Sequence, residues 1–206
     1  MNLSNPEVSN TSVNIQPLVN LLSNFFPLEK SVLNFLRKNI TLISFKTGDL
    51  ILKAGEHCNS VYFIKSGVVR GFVNEGKKEI TTWIASENEL VSSITSFGID
   101  EPAVENLQSL EACEMLLISN TAMNQLYIEF PEFNIIGRKL LEHYYRDAEK
   151  RALIVRLSNA ETKYRFFLEH YPHLSNRVQL QYIASFLAIT METLSRVRRK
   201  IRFYSK

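Results

Sequence analysis

Cysteine is nearly absent from this chain of 206 residues: only Cys58 and Cys113 occur, far apart and without a CxxC. That excludes a disulfide framework and a cysteine-ligated metal cluster, and leaves both thiols as buried small hydrophobes. Histidine is equally scarce, and His57 is the only one in the strand-rich stretch 42–118, where it sits in a Gly-Glu-His turn and is expected at the surface. A metal-holding strand barrel of the cupin type needs two or three histidines plus an acid, so that enzyme class fails. A Ser-His-Asp set, a glycine-rich phosphate loop and paired carboxylates are missing as well. No catalytic residue, metal or cofactor is therefore assigned, and the chain is not expected to be an enzyme. There is no run of about 18 apolar residues, and the Asn- and Ser-rich start lacks a basic segment followed by an apolar one. The expectation is a soluble cytoplasmic protein without a membrane partner.

What is present is a chain 45% hydrophobic, enough for one ordinary domain and a small one. Residues 1–14 are polar and aperiodic and are expected to be flexible. Helices are expected over 17–25 and 28–39, with Pro17 and Pro27 as breakers or first-turn residues. Six of the seven glycines then fall between residues 42 and 118, punctuating the short segments LISF, LILKAG, SVYFIKSG, VVRGFV, EITTWIA and MLLIS. This spacing predicts an antiparallel sandwich or barrel, with a hairpin turn at Asn74-Glu75-Gly76. A short helix over 121–130 ends at Pro131. A long helix follows over 132–158, whose apolar positions Leu141, Tyr144 or Tyr145, Ala148, Ala152 and Val155 recur at spacings of three and four. Another helix is expected over 160–170.

The last third of the chain is basic. Residues 151–206 hold eleven Lys or Arg against three Asp or Glu, a net of +8, while the first 150 hold thirteen against eighteen, a net of −5. Such asymmetry concentrates positive potential at one end, as phosphate binding requires. Within it, Leu180 begins a unit in which Ile183, Leu187, Ile189, Leu194 and Val197 occupy positions 4, 8, 10, 15 and 18. This is the apolar pattern of two helices crossing steeply over one small core, a helix-turn-helix. Ala184 is small where the helices meet, Thr190 is the expected N-cap of the second helix, and Thr193 stands at N3. Ala188 occupies the turn position where positive φ is expected, at a cost of roughly 1 kcal/mol. Arg196, Arg198, Arg199, Lys200 and Arg202 load the second helix.

This order of parts resembles the cyclic AMP receptor and fumarate-nitrate regulator (Crp/Fnr) family of bacterial transcription regulators. FKTGDLILKAGE at 45–56, VYFIKSGVVRGF at 61–72 and IASFLAITMETLSRVRRK at 183–200 carry the resemblance. It implies an α+β fold: a cyclic-nucleotide-binding-like β-roll (jelly roll) with flanking helices over 15–131, a dimerisation helix over 132–158, and a winged-helix-like helix-turn-helix domain over 159–206. The wing is expected to be missing or truncated, because the chain stops soon after the second helix. It further implies a homodimer through the long helix, binding double-stranded DNA at a two-fold related site. RNA polymerase is a further candidate partner, and the small-molecule effector is left unidentified.

Carried over by position, the family's base-reading residues fall on Met191, Glu192 and Arg196. Glu192 suits a cytosine amino group and Arg196 a guanine edge, whereas Met191 offers only apolar contact. Thr190, Thr193 and Ser195 are expected to add hydroxyl contacts, and Arg199 and Lys200 to hold phosphates. The pocket departs further from the family. The Gly-Glu pair that approaches the sugar maps to Ser92 and Ser93, and the Arg with its hydroxyl neighbour that clamps the cyclic phosphate maps to Ala103 and Val104. No Arg or Lys occurs from 92 to 104. A charge-assisted bond of about 1.5–3 kcal/mol is thereby lost, so cyclic AMP binding in the family's manner is not expected. The alternative from another class is a ligand-sensing or protein-interaction module whose helix-turn-helix no longer binds DNA, suggested by Ala188, Met191 and the absent wing.

Overall fold

A computed structural model describes residues 7–9 and 13–204, with side chains for 13–201. Among these, the strands are β1 (Glu7–Ser9), β2 (Ile40–Phe45), β3 (Leu50–Leu52), β4 (Ser60–Ser66), β5 (Val69–Glu75), β6 (Lys78–Ala85), β7 (Leu90–Val91), β8 (Asn106–Ser109) and β9 (Cys113–Ser119). They form two antiparallel sheets in the orders β1-β2-β9-β4-β7 and β3-β8-β5-β6. The helices are α1 (Gln16–Ser23), α2 (Lys30–Asn39), α3 (Asn120–Glu129), α4 (Pro131–Arg156), α5 (Ala160–His170), α6 (Leu180–Phe186) and α7 (Met191–Tyr204).

Strand alternation divides the core. Along β9, Met115 faces into the sandwich, where it meets Ile43, Ile64, Val69 and Ala85. Its neighbours Leu116 and Ile118 face outward, under Leu18, Leu36, Leu126 and Ile136 of the first four helices. The β5–β6 hairpin closes through Gly76-Lys77, with Glu75 opposite Lys78 and Gly76 at φ +60. A glycine first in a two-residue loop suits a type II′ turn, whose twist matches the strands.

Three features differ from the sequence reading. Strand β8, Asn-Leu-Gln-Ser, was not expected, yet all four residues are buried. Its polar side chains are satisfied internally: Asn106 accepts from the Ala54 N–H at 3.0 Å, and Gln108 donates to the Gly48 carbonyl at 3.0 Å. Apolar periodicity cannot reveal such a strand. The two-residue β7 is also new. Within the start expected to be flexible, residues 7–9 pair with the free edge of β2, Val8 opposite Ile43; residues 1–6 and 10–12 lie outside the described residues.

Helix α4 resolves the Tyr144-or-Tyr145 ambiguity. Tyr144 turns toward the sandwich, where its hydroxyl accepts the Leu90 N–H at 2.7 Å and burial pushes its pKa up to about 12. Tyr145 is 68% exposed and joins Leu141, Ala148, Ala152 and Val155 in one stripe, of which only Ala152 is half-buried.

Candidate nucleic-acid interface and sandwich interior

The C-terminal helices share the core their spacing predicts. Ile183, Ala184, Leu187, Leu194 and Val197 are buried, and Phe167, Tyr171 and Phe186 pack ring against ring beneath them. Ala188 takes φ +50, the left-handed conformation expected at the turn. Thr190 caps α7, its Oγ1 accepting the Thr193 N–H at 3.1 Å. These constraints aim one face of α7 at solvent: Met191, Glu192, Ser195, Arg196, Arg199 and Lys200 are exposed, and Thr193 is half-buried. Among the described residues no hydrogen bond or ion pair engages Arg196 or Arg199. Lys200 differs, donating to Glu161 Oε2 at 2.8 Å, so a phosphate would compete with that carboxylate for it.

This unit is not a separate body on a tether. Its core includes Val68 and Ile84 of the sandwich, and a series of polar contacts joins it to β5, to β6 and to the residues just past β6. His173 Nε2 lies 2.9 Å from Ser86 Oγ. Arg177 forks onto Glu87 and reaches Glu111, with bonds of 2.7 to 3.0 Å. Arg177 holds the Glu87 carboxyl down at about 2. Tyr182 lies 3.9 Å over the buried guanidinium of Arg70, which also bonds Gln108 and Glu79. Ser185 Oγ accepts the Thr81 N–H at 2.9 Å and donates to the Glu79 carbonyl at 3.3 Å, capping the edge of β6. Lys163 ties the unit to the long helix: buried, it donates to the carbonyls of Val155 at 2.9 Å and Leu187 at 3.0 Å. It thereby places a cation where the carbonyls of α4 and of the α6 turn are left open, and burial pulls its pKa down.

The four pocket positions do not converge. Ser92 donates to the Ser60 carbonyl at 3.1 Å beside Cys58, and Ala103 is buried against Leu52 and Leu107. Val104 is 64% exposed. Only Ser93, fully buried, faces a polar cluster, and its key members escaped the sequence reading. Trp83 lies so close over Gly71 that a Cβ there would overlap the indole ring. Its N–H donates to Glu105 Oε2 at 2.9 Å. Burial raises the Glu105 pKa, and bonds from Trp83, Ser93 and Thr82 partly offset that rise. The available signal was the single Trp of the chain alternating with glycine across a hairpin. His57 is exposed and lies 3.3 Å from Asp100, and both cysteines are buried and free. Among the described residues no three His, Cys, Asp or Glu side chains are grouped to hold a metal, and no helix is long and apolar enough to cross a membrane.

Residues 42–129 match the family model of the cyclic nucleotide-binding domain. Among solved structures, FixK2 from Bradyrhizobium japonicum is 16% identical with a TM-score of 0.69, over 81% of this chain and 86% of that one. The c-di-GMP responsive global regulator CLP of Xanthomonas campestris is 17% identical with a TM-score of 0.67, over 86% and 93%. A Eubacterium rectale protein assigned to the crp/fnr family is 15% identical with a TM-score of 0.66, over 88% of each chain. The chain shares the fold of these solved structures. At these identities the likeness speaks for architecture, and no curated protein matches the chain significantly. In this Crp/Fnr-like fold the α7 face and the sandwich interior are built differently. The α7 face leaves Arg196 and Arg199 unengaged among the described residues, while inside the sandwich the half-buried Trp83 is bonded to the buried Glu105.

Proposed function

We propose that the chain is a sequence-specific DNA-binding transcription regulator of the cytoplasm that acts as a homodimer on a two-fold symmetric site without responding to cyclic AMP. The exposed face of α7 carries this reading, because Thr190 and the buried Leu194 and Val197 fix its orientation while Arg196 and Arg199 stay unengaged among the described residues. Arg196 suits a guanine edge and Glu192 a cytosine amino group; Arg199 and Lys200 suit phosphates. The dimer rests on the stripe Leu141, Tyr145, Ala148, Ala152 and Val155, whose alternating spacing of four and three is that of a two-stranded helical seam. Indifference to cyclic AMP is supported by Ala103 and Val104 in place of a cationic clamp, and by a buried Glu105 already engaged by Trp83, which offers a phosphate no cation.

Selection of bound sequences from a random DNA pool tests the reading. A symmetric motif with half-sites about one helical turn apart is expected, and enrichment of no symmetric site overturns it. Calorimetric binding of cyclic AMP at micromolar or tighter affinity would overturn the sensor half alone. The module without DNA binding is favoured by Met191, 52% exposed at a base-reading position, and by the Lys200–Glu161 pair. Absence of any gel shift on random duplex at low salt would decide for it.

A further inference from the structure

His173 and Arg177 meet the sandwich at Ser86 and Glu87, just past the end of β6. Along α6, Tyr182 stacks on Arg70, which lies opposite Ile84 in the ladder, and Ser185 bonds Thr81 and Glu79. Helix α6 thus runs antiparallel to β6, advancing toward the hairpin as it advances toward the turn that launches α7. Past Ser185, α6 has one residue left before its C-cap, and past Glu79 the strand has only Lys78 before the two-residue loop. The hairpin end of β6 therefore lies at the end of α6 that leads into the helix-turn-helix turn. Asn74, Glu75, Gly76, Lys77 and Lys78 are all exposed there. Neither lysine has a bonded partner among the described residues. Glu79, by contrast, is already taken by the buried Arg70.

We propose that this tip is a second phosphate-gripping element, with Lys77 and Lys78 holding the DNA backbone beside the groove that α7 enters. The inference rests on the reading of α7 as a DNA-binding helix. Two ammonium groups on a short, twisted hairpin are point charges suited to phosphates and indifferent to base sequence. Glu75, opposite Lys78 in the ladder, carries the one opposing charge at the tip.

The test uses the full chain and a random-sequence duplex, because phosphate contacts do not depend on sequence. Binding is measured against salt for the natural protein, for Lys77→Gln with Lys78→Gln, for Glu75→Gln, and for Arg196→Ala as a reference on α7. The double lysine variant is expected to lose affinity about tenfold and to flatten the slope of log affinity against log salt by about 1.8 per protomer. Glu75→Gln is expected to strengthen binding, an opposite response that a merely structural role of the hairpin does not give. An unchanged slope in the lysine variant, with Arg196→Ala still weakened, overturns the hairpin contact and leaves the α7 reading standing; that result would instead suit a protein partner at the tip. No binding by the natural protein at low salt overturns both.

Discussion

On the exposed face of α7, Arg196 and Arg199 have no bonded partner among the described residues, whereas inside the sandwich Trp83 and Ser93 are bonded to Glu105, and at the junction Arg70 is bonded to Gln108 and Glu79 beneath Tyr182. Hydrogen-bonding capacity that is free at a surface is available to a ligand. Capacity that is used internally must first be released, at a cost of roughly 1–3 kcal/mol for each buried group left unpaired. One chain thus keeps Arg196 and Arg199 open on α7 and the polar groups around Glu105 engaged, and the difference lies in the partners of the polar groups more than in their number.

Substitutions on each side can break this contrast. The largest effect is expected inside: Trp83→Ala removes a ring packed on Gly71 and a bond to Glu105, and urea unfolding should show a loss of about 3–5 kcal/mol. A loss under about 1 kcal/mol would mean that the interior is not filled by that ring. Arg196→Ala should weaken binding to the selected operator by about 1–3 kcal/mol per half-site while leaving the unfolding midpoint unchanged, because the side chain is exposed and unbonded. Equal affinity for operator and scrambled duplex would remove Arg196 from base reading.

The junction between the two regions has its own pH signature. Glu87 titrates near 2 in the folded protein, below its ordinary 4.5, because it accepts bonds from Arg177. A lowered carboxyl stabilises the fold fully above the unfolded value and loses that contribution as pH falls from about 5 toward 2. Thermal melts across this range should fall less steeply in Glu87→Gln than in the natural protein, and parallel curves would rule out the coupling. The smallest effects belong to the turn. Ala188→Gly relieves a positive φ and should gain about 1 kcal/mol, while Thr190→Ala removes the cap of α7 and should lose about the same; melting curves of both variants check the pair.

Much of the C-terminal helix-turn-helix was legible in the sequence because its signals are local. The positions of Ile183, Leu187, Leu194 and Val197, the cap at Thr190 and the strained Ala188 all follow from spacings within one turn or two, and the structure repeats them. The sandwich was legible only in outline. Glycine spacing revealed six strands, but β8 stayed hidden because its buried Asn106 and Gln108 find partners more than thirty residues away. The engagement of Lys200 by Glu161 escaped for the same reason, since the two are 39 residues apart.

The sequence by itself determined the architecture, the apolar faces of the helices and the loss of any cation from residues 92–104, because periodicity, turn chemistry and composition act over short distances. Tertiary structure alone decided that Trp83 meets Glu105 inside the sandwich, that Tyr144 turns inward while Tyr145 stays out, and that Arg177, Tyr182 and Ser185 fasten the helix-turn-helix to the sandwich. Those outcomes depend on which distant backbone brings a partner within hydrogen-bond reach, and that is set only when the sheets and helices pack.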